Sequence, residues 1–234
     1  MKPEWKQVTR SRPDQSGAEG KYQMRILITA GGTREYIDPV RFISNASSGK
    51  MGYALARAAL KAGHKITLIT TPTAQKPPST AKLVKVETAA QMFEAVKKHL
   101  EPCDCLIMAA AVADYTPFRP AKTKIKKTGN SMTIKLKPTP DILKWVTGHK
   151  KETQIVAGFA LEDKAVRTRA EKKLKDKNLD MIVANSTAAI GAEKSKVQIK
   201  FPDSSWIKLE NSTKFATANK IIRLIEKLYR EKLK

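Results

Sequence analysis

The chain is short of cysteine, histidine, aromatics, acidic residues and long apolar runs, and each shortage excludes something. Its two cysteines, Cys103 and Cys105, flank Asp104 at a strand start. Their side chains are expected to part to opposite faces there, so no disulfide is expected between them. Two small buried thiols suit a reducing cytoplasm. The three histidines, His64, His99 and His149, each fall near a helix end, and no two share a metal-ligand spacing. A structural zinc site is therefore not expected. Aromatics make up 6% of the chain and form no stripe interleaved with basic residues, so no recognised nucleic-acid module stands out. No apolar run approaches the ~20 residues of a membrane span. Residues 1–22 are polar and lack the apolar segment of a secretory signal. They read as a disordered or loosely docked tail ahead of a domain over 23–234, which points to a cytoplasmic protein.

Acidic charge is the largest deficit. Asp and Glu total 22 against 45 Lys and Arg, a formal +23. Such a field favours anionic partners and supports nonspecific adhesion to nucleic acid. The excess is spread from Lys61 and Lys65 to Lys232 and Lys234 and is not gathered into one stripe. A basic nucleic-acid-binding α/β protein is one reading; a cleft for a substrate with several phosphates is another.

What is present alternates. Apolar runs at 24–30, 65–70, 82–86, 104–110, 154–159 and 180–184 read as buried parallel strands. Helical patterns lie between them at 49–62, 89–100, 140–148 and 163–177, with a last one over 213–233 whose lysines and arginines read as a solvated face. This order predicts an α/β fold with a doubly wound, mostly parallel, Rossmann-like sheet. Residues 131–137, 196–201 and 205–209 alternate apolar with polar, as half-exposed strands do. The last two flank Pro202-Asp203 as a hairpin, and the three together suggest a small antiparallel extension.

The stretch from Met24 to Tyr53 is the most informative. A strand ending in Ala30-Gly31-Gly32 is followed by a polar loop, and Ser47-Ser48-Gly49-Lys50 then opens a helix. A helix start offers unpaired N–H groups and a positive dipole end to an anion. A Walker A loop needs Gly and Ser or Thr where Ser44 and Met51 stand, and the glycine spacing does not make a dinucleotide fingerprint. The missing fingerprint disfavours a Rossmann-type oxidoreductase. The loop from Thr33 to Ser47 is longer than the two to six residues usual for a βα connection. Carrying Arg34, Asp38, Arg41 and Asn45, it reads as a ligand-contacting loop.

Arg41-Phe-Ile-Ser-Asn45-Ala-Ser-Ser-Gly-Lys-Met-Gly52 resembles the signature loop of the phosphopantothenate–cysteine ligases, stand-alone bacterial type. Met108-Ala-Ala-Ala-Val-Ala-Asp114, Lys124-Ile-Lys-Lys127, Pro140-Asp-Ile-Leu143, Gly158-Phe-Ala160 and 177–185 match the same family in order, over roughly residues 24–200. The resemblance implies a ligase of coenzyme A biosynthesis. In that family a carboxylate of 4′-phosphopantothenate attacks the α-phosphate of CTP, or of ATP in the eukaryotic branch. The amine of L-cysteine then displaces CMP. It further implies Mg²⁺, a likeness to homodimers, no membrane and no specific nucleic-acid partner. With about two dozen residues ahead of the first strand, no flavin-bearing half is expected.

By the same resemblance Asn45, Arg41 and Lys124 are the catalytic candidates, with Lys124 on a mobile flap running to Asn130. Nucleotide contacts are expected at Met108, Ala109, Ala110, Asp114, Lys124, Pro140, Asp141, Ile142, Leu143, Phe159, Lys173 and Lys177. Asp114 suits a ribose, base or metal contact, or simply a helix cap. Phe159 suits stacking on a base or filling the core. Gly31, Gly32, Ser47, Ser48, Gly49 and Lys50 make the expected anion cradle, and the metal ligands stay open. The chain departs from the family at Thr139, where Asn is common, and after Asn185.

Overall fold

The computed structural model describes residues 22–189, 192 and 194–234, so the expected tail lies outside the described residues except for Tyr22. Strand β1 (Arg25–Ala30) leads through a small hairpin, β2 (Arg34–Tyr36) and β3 (Phe42–Ser44), into helix α1 (Lys50–Lys61). Next come β4 (Lys65–Thr70), β5 (Lys82–Lys85), α2 (Ala89–Leu100) and β6 (Cys105–Met108). A second short pair, β7 (Tyr115–Pro117) and β8 (Leu136–Pro138), precedes α3 (Ile142–Thr147). Then follow β9 (Ile155–Glu162), α4 (Val166–Asp176), β10 (Met181–Ser186), β11 (Lys194–Lys200), β12 (Ile207–Thr213) and α5 (Lys214–Lys232).

Eight strands make one sheet in the order β12-β11-β10-β9-β6-β1-β4-β5. All neighbours from β10 to β5 pair parallel, and β11 and β12 add an antiparallel edge. The doubly wound reading holds. Ile26 and Ile28 pack on one face with α1 and α5, while Leu27 packs on the other with α2, α3 and α4. Burial on both faces is why the central strands read as continuous apolar runs. Helix α1 rides directly on β1: a Cβ on Gly52 would stand 2.5 Å from Ala30 Cβ, so only glycine permits the approach.

Two sequence expectations need correction. Residues 131–135 are irregular, and only Leu136–Pro138 forms a strand, paired with Tyr115–Pro117. Of the alternating Met132, Ile134 and Leu136, only Ile134 is half-buried; Met132 and Leu136 stay exposed. This strand also stands apart from the 207–213 hairpin, so the antiparallel extension is two separate features. The cysteines do part, Cys103 to the α2 side and Cys105 to the α1 side. Two residues of one strand at that spacing would share a face; Cys103 precedes the strand, and the turn separates them. Burial pushes the Cys103 thiol up to about 12 and the Cys105 thiol well above its ordinary value, so neither is a nucleophile.

Polar ties hold the sheet's N-terminal edge. Asp180 accepts from Lys150 Nζ at 2.8 Å, Lys232 Nζ at 2.7 Å and Val156 N at 2.7 Å. Burial alone would raise this carboxyl, but the two ammonium groups outweigh it and hold it below the ordinary range. Lys232 is the last residue of α5, so the carboxylate pins that helix to the base of β9 and β10. Asp180→Ala leaves two half-buried ammonium groups without their anion. It is expected to cost about 3 kcal/mol, read as a lower urea midpoint at unchanged m-value.

Candidate active site

Above the sheet, the segments leaving β1 and β6 remain zipped. Ala111 N donates to Gly31 O at 2.8 Å and Thr33 N to Ala111 O at 3.2 Å. Threonine hydroxyls extend the zip, Thr29 Oγ1 accepting from Ala110 N and Thr33 Oγ1 from Ala113 N. Thr139 donates its hydroxyl to Ala113 O at 2.6 Å, and its own N–H goes to Asp114 O. That threonine ties the start of α3 to the post-β6 wall. Its hydroxyl is engaged by backbone, not turned to a ligand.

Between this wall and the start of α1 lies a cleft of about 830 Å³, large enough for a nucleotide with a second small substrate. It gathers Asn45, Ser47, Ser48, Gly49, Lys50, Met108, Ala109, Ala110, Asp114, Pro140, Asp141, Ile142, Leu143, Phe159, Lys173 and Lys177. Gly49 caps α1 in the left-handed region at φ 72°, and no side chain caps the helix, so Ser47 and Ser48 are not its caps. Asp141, not Pro140, caps α3, accepting from Lys144 N at 2.9 Å. Asn45 donates its Nδ2 to Val112 O at 3.0 Å, which fixes the amide beside the wall.

The charges in the cleft are sorted. Lys173 is largely buried and donates to Phe159 O at 2.8 Å; burial lowers its ammonium, and Glu162, Asp114 and Asp141 act against that fall. Lys177 pairs with Asp141. Burial opposes the charge of Asp141, yet Lys177 and the Lys144 amide outweigh it and hold the carboxyl low. Asp141 is thus occupied, and Glu162 is bound by Arg169 at 3.0 Å. Among the described residues no group of three or more His, Cys, Asp or Glu could hold a metal ion. The residues do not build a resident metal cage.

Four expected residues lie outside the cleft lining. Gly31 and Gly32 stand behind it: a Cβ on Gly32 would fall 2.7 Å from Asn45 O, so that glycine lets the Asn45 loop close in. Arg41 and Lys124 belong to a neighbouring tie. Asp38, 1% exposed, accepts from Val40 N and Arg41 N at 2.9 Å, from Arg41 Nε at 3.0 Å and from Ile125 N at 3.1 Å. Arg41 Nη2 also donates to Ile125 O at 2.7 Å. Arg41 is therefore a clamp on the 121–125 segment, with Lys124 exposed on that segment. The Arg41 guanidinium, first among the causes, holds Asp38 far below the ordinary carboxylate range.

The cleft also holds polar residues that the sequence reading did not assign to it, Thr139, Glu162, Asn185 and Lys214. Lys214 is the instructive one, read from the sequence as part of a solvated helix face. β11 reverses direction and β12 reverses it again, so α5 begins at the same sheet edge as α1. The parity of the hairpin was the available signal.

Comparison with known proteins follows this geometry. Residues 22–229 match the family described as DNA/pantothenate metabolism flavoprotein C-terminal domain. The chain belongs to that family. It is 44% identical over 218 residues to the coenzyme A biosynthesis bifunctional protein CoaBC of Bacillus subtilis, covering 91% of this chain and 53% of the relative. The corresponding protein of Vibrio parahaemolyticus is 41% identical over 216 residues, covering 90% and 53%. The chain thus spans about half the length of the curated relatives it matches. The crystal structure of a CoaBC C-terminal domain superposes with a TM-score of 0.79 at 42% identity, covering 91% of this chain and all of that one. A mutant of Cab2 in complex with phosphopantothenate-cysteine superposes at 0.77 with 17% identity over 90% of this chain and 87% of that one, a likeness of fold.

Within the family domain, the Asp38 tie is the part most open to a direct test. Asp38→Asn keeps the shape but removes the anion that two segments share. Faster amide exchange at Ile125 is expected, because its N–H loses a charged acceptor. Unchanged exchange at Ile125 would show that the segment does not depend on this carboxylate.

Proposed function

We propose that residues 23–234 form a ligase that joins 4′-phosphopantothenate to L-cysteine through an acyl-nucleotide, with CTP as co-substrate. The reading is supported by family membership, by relatives named for coenzyme A biosynthesis, and by the phosphopantothenate-cysteine bound to Cab2. The observation that carries it is one cleft holding the Asn45 amide, the start of α1, which no side chain caps, and the Lys173–Lys177 pair.

In the first step a carboxylate oxygen bonds to the α-phosphorus of the nucleotide, the bridging bond to the β-phosphate breaks, and pyrophosphate leaves. In the second, the cysteine amine bonds to the acyl carbon and loses a proton, and CMP leaves. Bringing two anions together requires fixed positive charge and oriented donors. Lys173 and Lys177 supply charge held by neighbouring carboxylates and a backbone carbonyl. Asn45 holds the acyl carbonyl oxygen during the second step, its amide oriented by Val112. Lys124 closes over the phosphates as the lid's cation. Mg²⁺ bound to the nucleotide phosphates would supply positive charge there, as suits a cation that retains several waters and few protein ligands. Its contribution is charge neutralisation.

The protein acts as a homodimer in the cytoplasm. In support, β2 packs beside β7, and the two hairpins leave Val40, Phe42, Tyr115, Phe118 and Leu136 exposed. An apolar surface of this kind fits a second copy related by a twofold axis. Light scattering should give twice the chain mass, and Leu136→Glu should shift it toward the monomer.

Pyrophosphate release with 4′-phosphopantothenate, Mg²⁺ and either CTP or ATP tests the reaction. Release with CTP, and a cysteine-dependent product, is the expected result; release with ATP alone overturns the nucleotide assignment, and none with either overturns the ligase. Asn45→Asp sets a carboxylate against the Val112 carbonyl and should lower the second step by ~10²–10³. Rapid quench should then show the acyl-nucleotide accumulating. Normal turnover in this variant removes Asn45 from the role.

A further inference from the structure

Helix α5 carries its outward cations in a row. Lys220, Arg223, Lys227 and Arg230 stand three, four and three residues apart, all exposed, on one face over about 15 Å of helix. Ile221, Ile222 and Ile225 bury the opposite face. Like charges at this spacing repel and weaken a helix, so a face that only meets water is better built from mixed signs. Helix α4 is built that way: Arg169 lies against Glu162 and Asp163, and Lys172 against Asp176. Helix α5 has two acidic residues. Glu226 turns to His64 at 3.2 Å, and Glu231 stands 3.9 Å from Lys227. Among the described residues Lys220 and Arg223 have no ion pair. The neighbouring α1 has no acidic residue and adds exposed cations at Arg57 and Lys61. Lys61 Nζ lies 5.9 Å from the centre of the Phe215 ring, so the two packed helices present one continuous surface.

We infer that this face of α5, extended by Lys61 of α1, binds the phosphate backbone of duplex DNA without regard to sequence. A rigid row of cations about 5 Å apart calls for an equally regular row of anions, and each strand of a duplex offers one phosphate per ~3.4 Å of axis. Three observations select this occupant. The apolar side of α5 is buried in the core, so the helix has nothing to insert into a lipid surface. Phe215, the exposed aromatic of the helix, already carries Lys61, which leaves no platform for unpaired bases. The Asn219 amide donates to Phe215 O at 2.9 Å and is not directed at base edges, so the surface meets backbone alone. The row lies outside the cleft lining, and the inference does not rest on the ligase reading.

Fluorescence anisotropy with a labelled duplex of about 20 base pairs, read from about 50 to 200 mM salt, tests the surface. The combined variant Lys220→Gln, Arg223→Gln, Lys227→Gln removes charge from the row. A second, Lys164→Gln, Lys172→Gln, Lys175→Gln, removes the same charge from exposed positions at α4 and so matches the net charge. Thermal melts check that both fold. The α5 variant should bind at least ~10-fold more weakly at the low-salt end, with a slope of log Kd against log salt shallower by about 2.7. The α4 variant should stay within about threefold of wild type. Equal weakening in both variants overturns the inference, because adhesion would then follow net charge and not the α5 face. Unchanged duplex binding by the α5 variant overturns it as well, as does tighter binding of the wild type to a single strand of the same length.

Discussion

Everything at the candidate site depends on β1 lying between β4 and β6 with parallel partners on both sides. The chain leaves β1 toward β4 over one face of the sheet and reaches β6 from β5 over the other. Right-handed crossovers going opposite ways must part at that point, and the parting opens a crevice at the C-terminal edge. The crevice stays narrow because α1 sits on β1 at backbone distance, which Gly52 alone allows. A bulkier residue there would lift the helix start and carry Gly49 and Lys50 away from the opposite wall.

Once the crevice exists, backbone and threonine hydroxyls shape it. The zip from Thr29 to Thr33 against 110–113 satisfies the polar groups of two loops that leave a buried sheet. Its effect is to present the Ala109–Asp114 stretch as a wall of small residues, near which a planar or sugar-like group can lie. Charge is then placed by helices: α3 contributes a capping carboxylate, α4 and its C-cap one lysine each, and α1 and α5 one lysine each. The wall is firm because main chain builds it, and the specificity sits in side chains that reach over it.

The sheet was legible because a strand buried on both faces has to be apolar throughout. The helices were legible because their stripes follow the 3.6-residue period. The short strands were not. Arg34–Tyr36 and Tyr115–Pro117 are three residues each, too brief for a period, and fixed by distant partners. The 131–137 alternation misled because Met132 and Leu136 stay exposed and only Leu136–Pro138 finds a partner strand. Most site residues could be placed since they fall in contiguous motifs. Arg41 and Lys124 show the limit: their motifs are adjacent to the site in sequence, while the buried Asp38 directs the Arg41 guanidinium to the 121–125 segment. Lys214 shows the converse, a cleft residue more than a hundred positions from the β6 wall, brought there by topology alone.

The net charge of +23 and the cleft are separate matters. Among the described residues four lysines line the cleft against three carboxylates, far from the chain's overall ratio. Charges farther than the ~8 Å Debye length of physiological salt are largely screened where exposed. The surrounding lysines can draw anions toward the protein, including nucleic acid, but they cannot tell one phosphate from another. Discrimination has to come from charges held at fixed places: Lys173 against Phe159 O and Lys177 against Asp141. A surface equally basic without that arrangement would adhere to polyanions and select none of them.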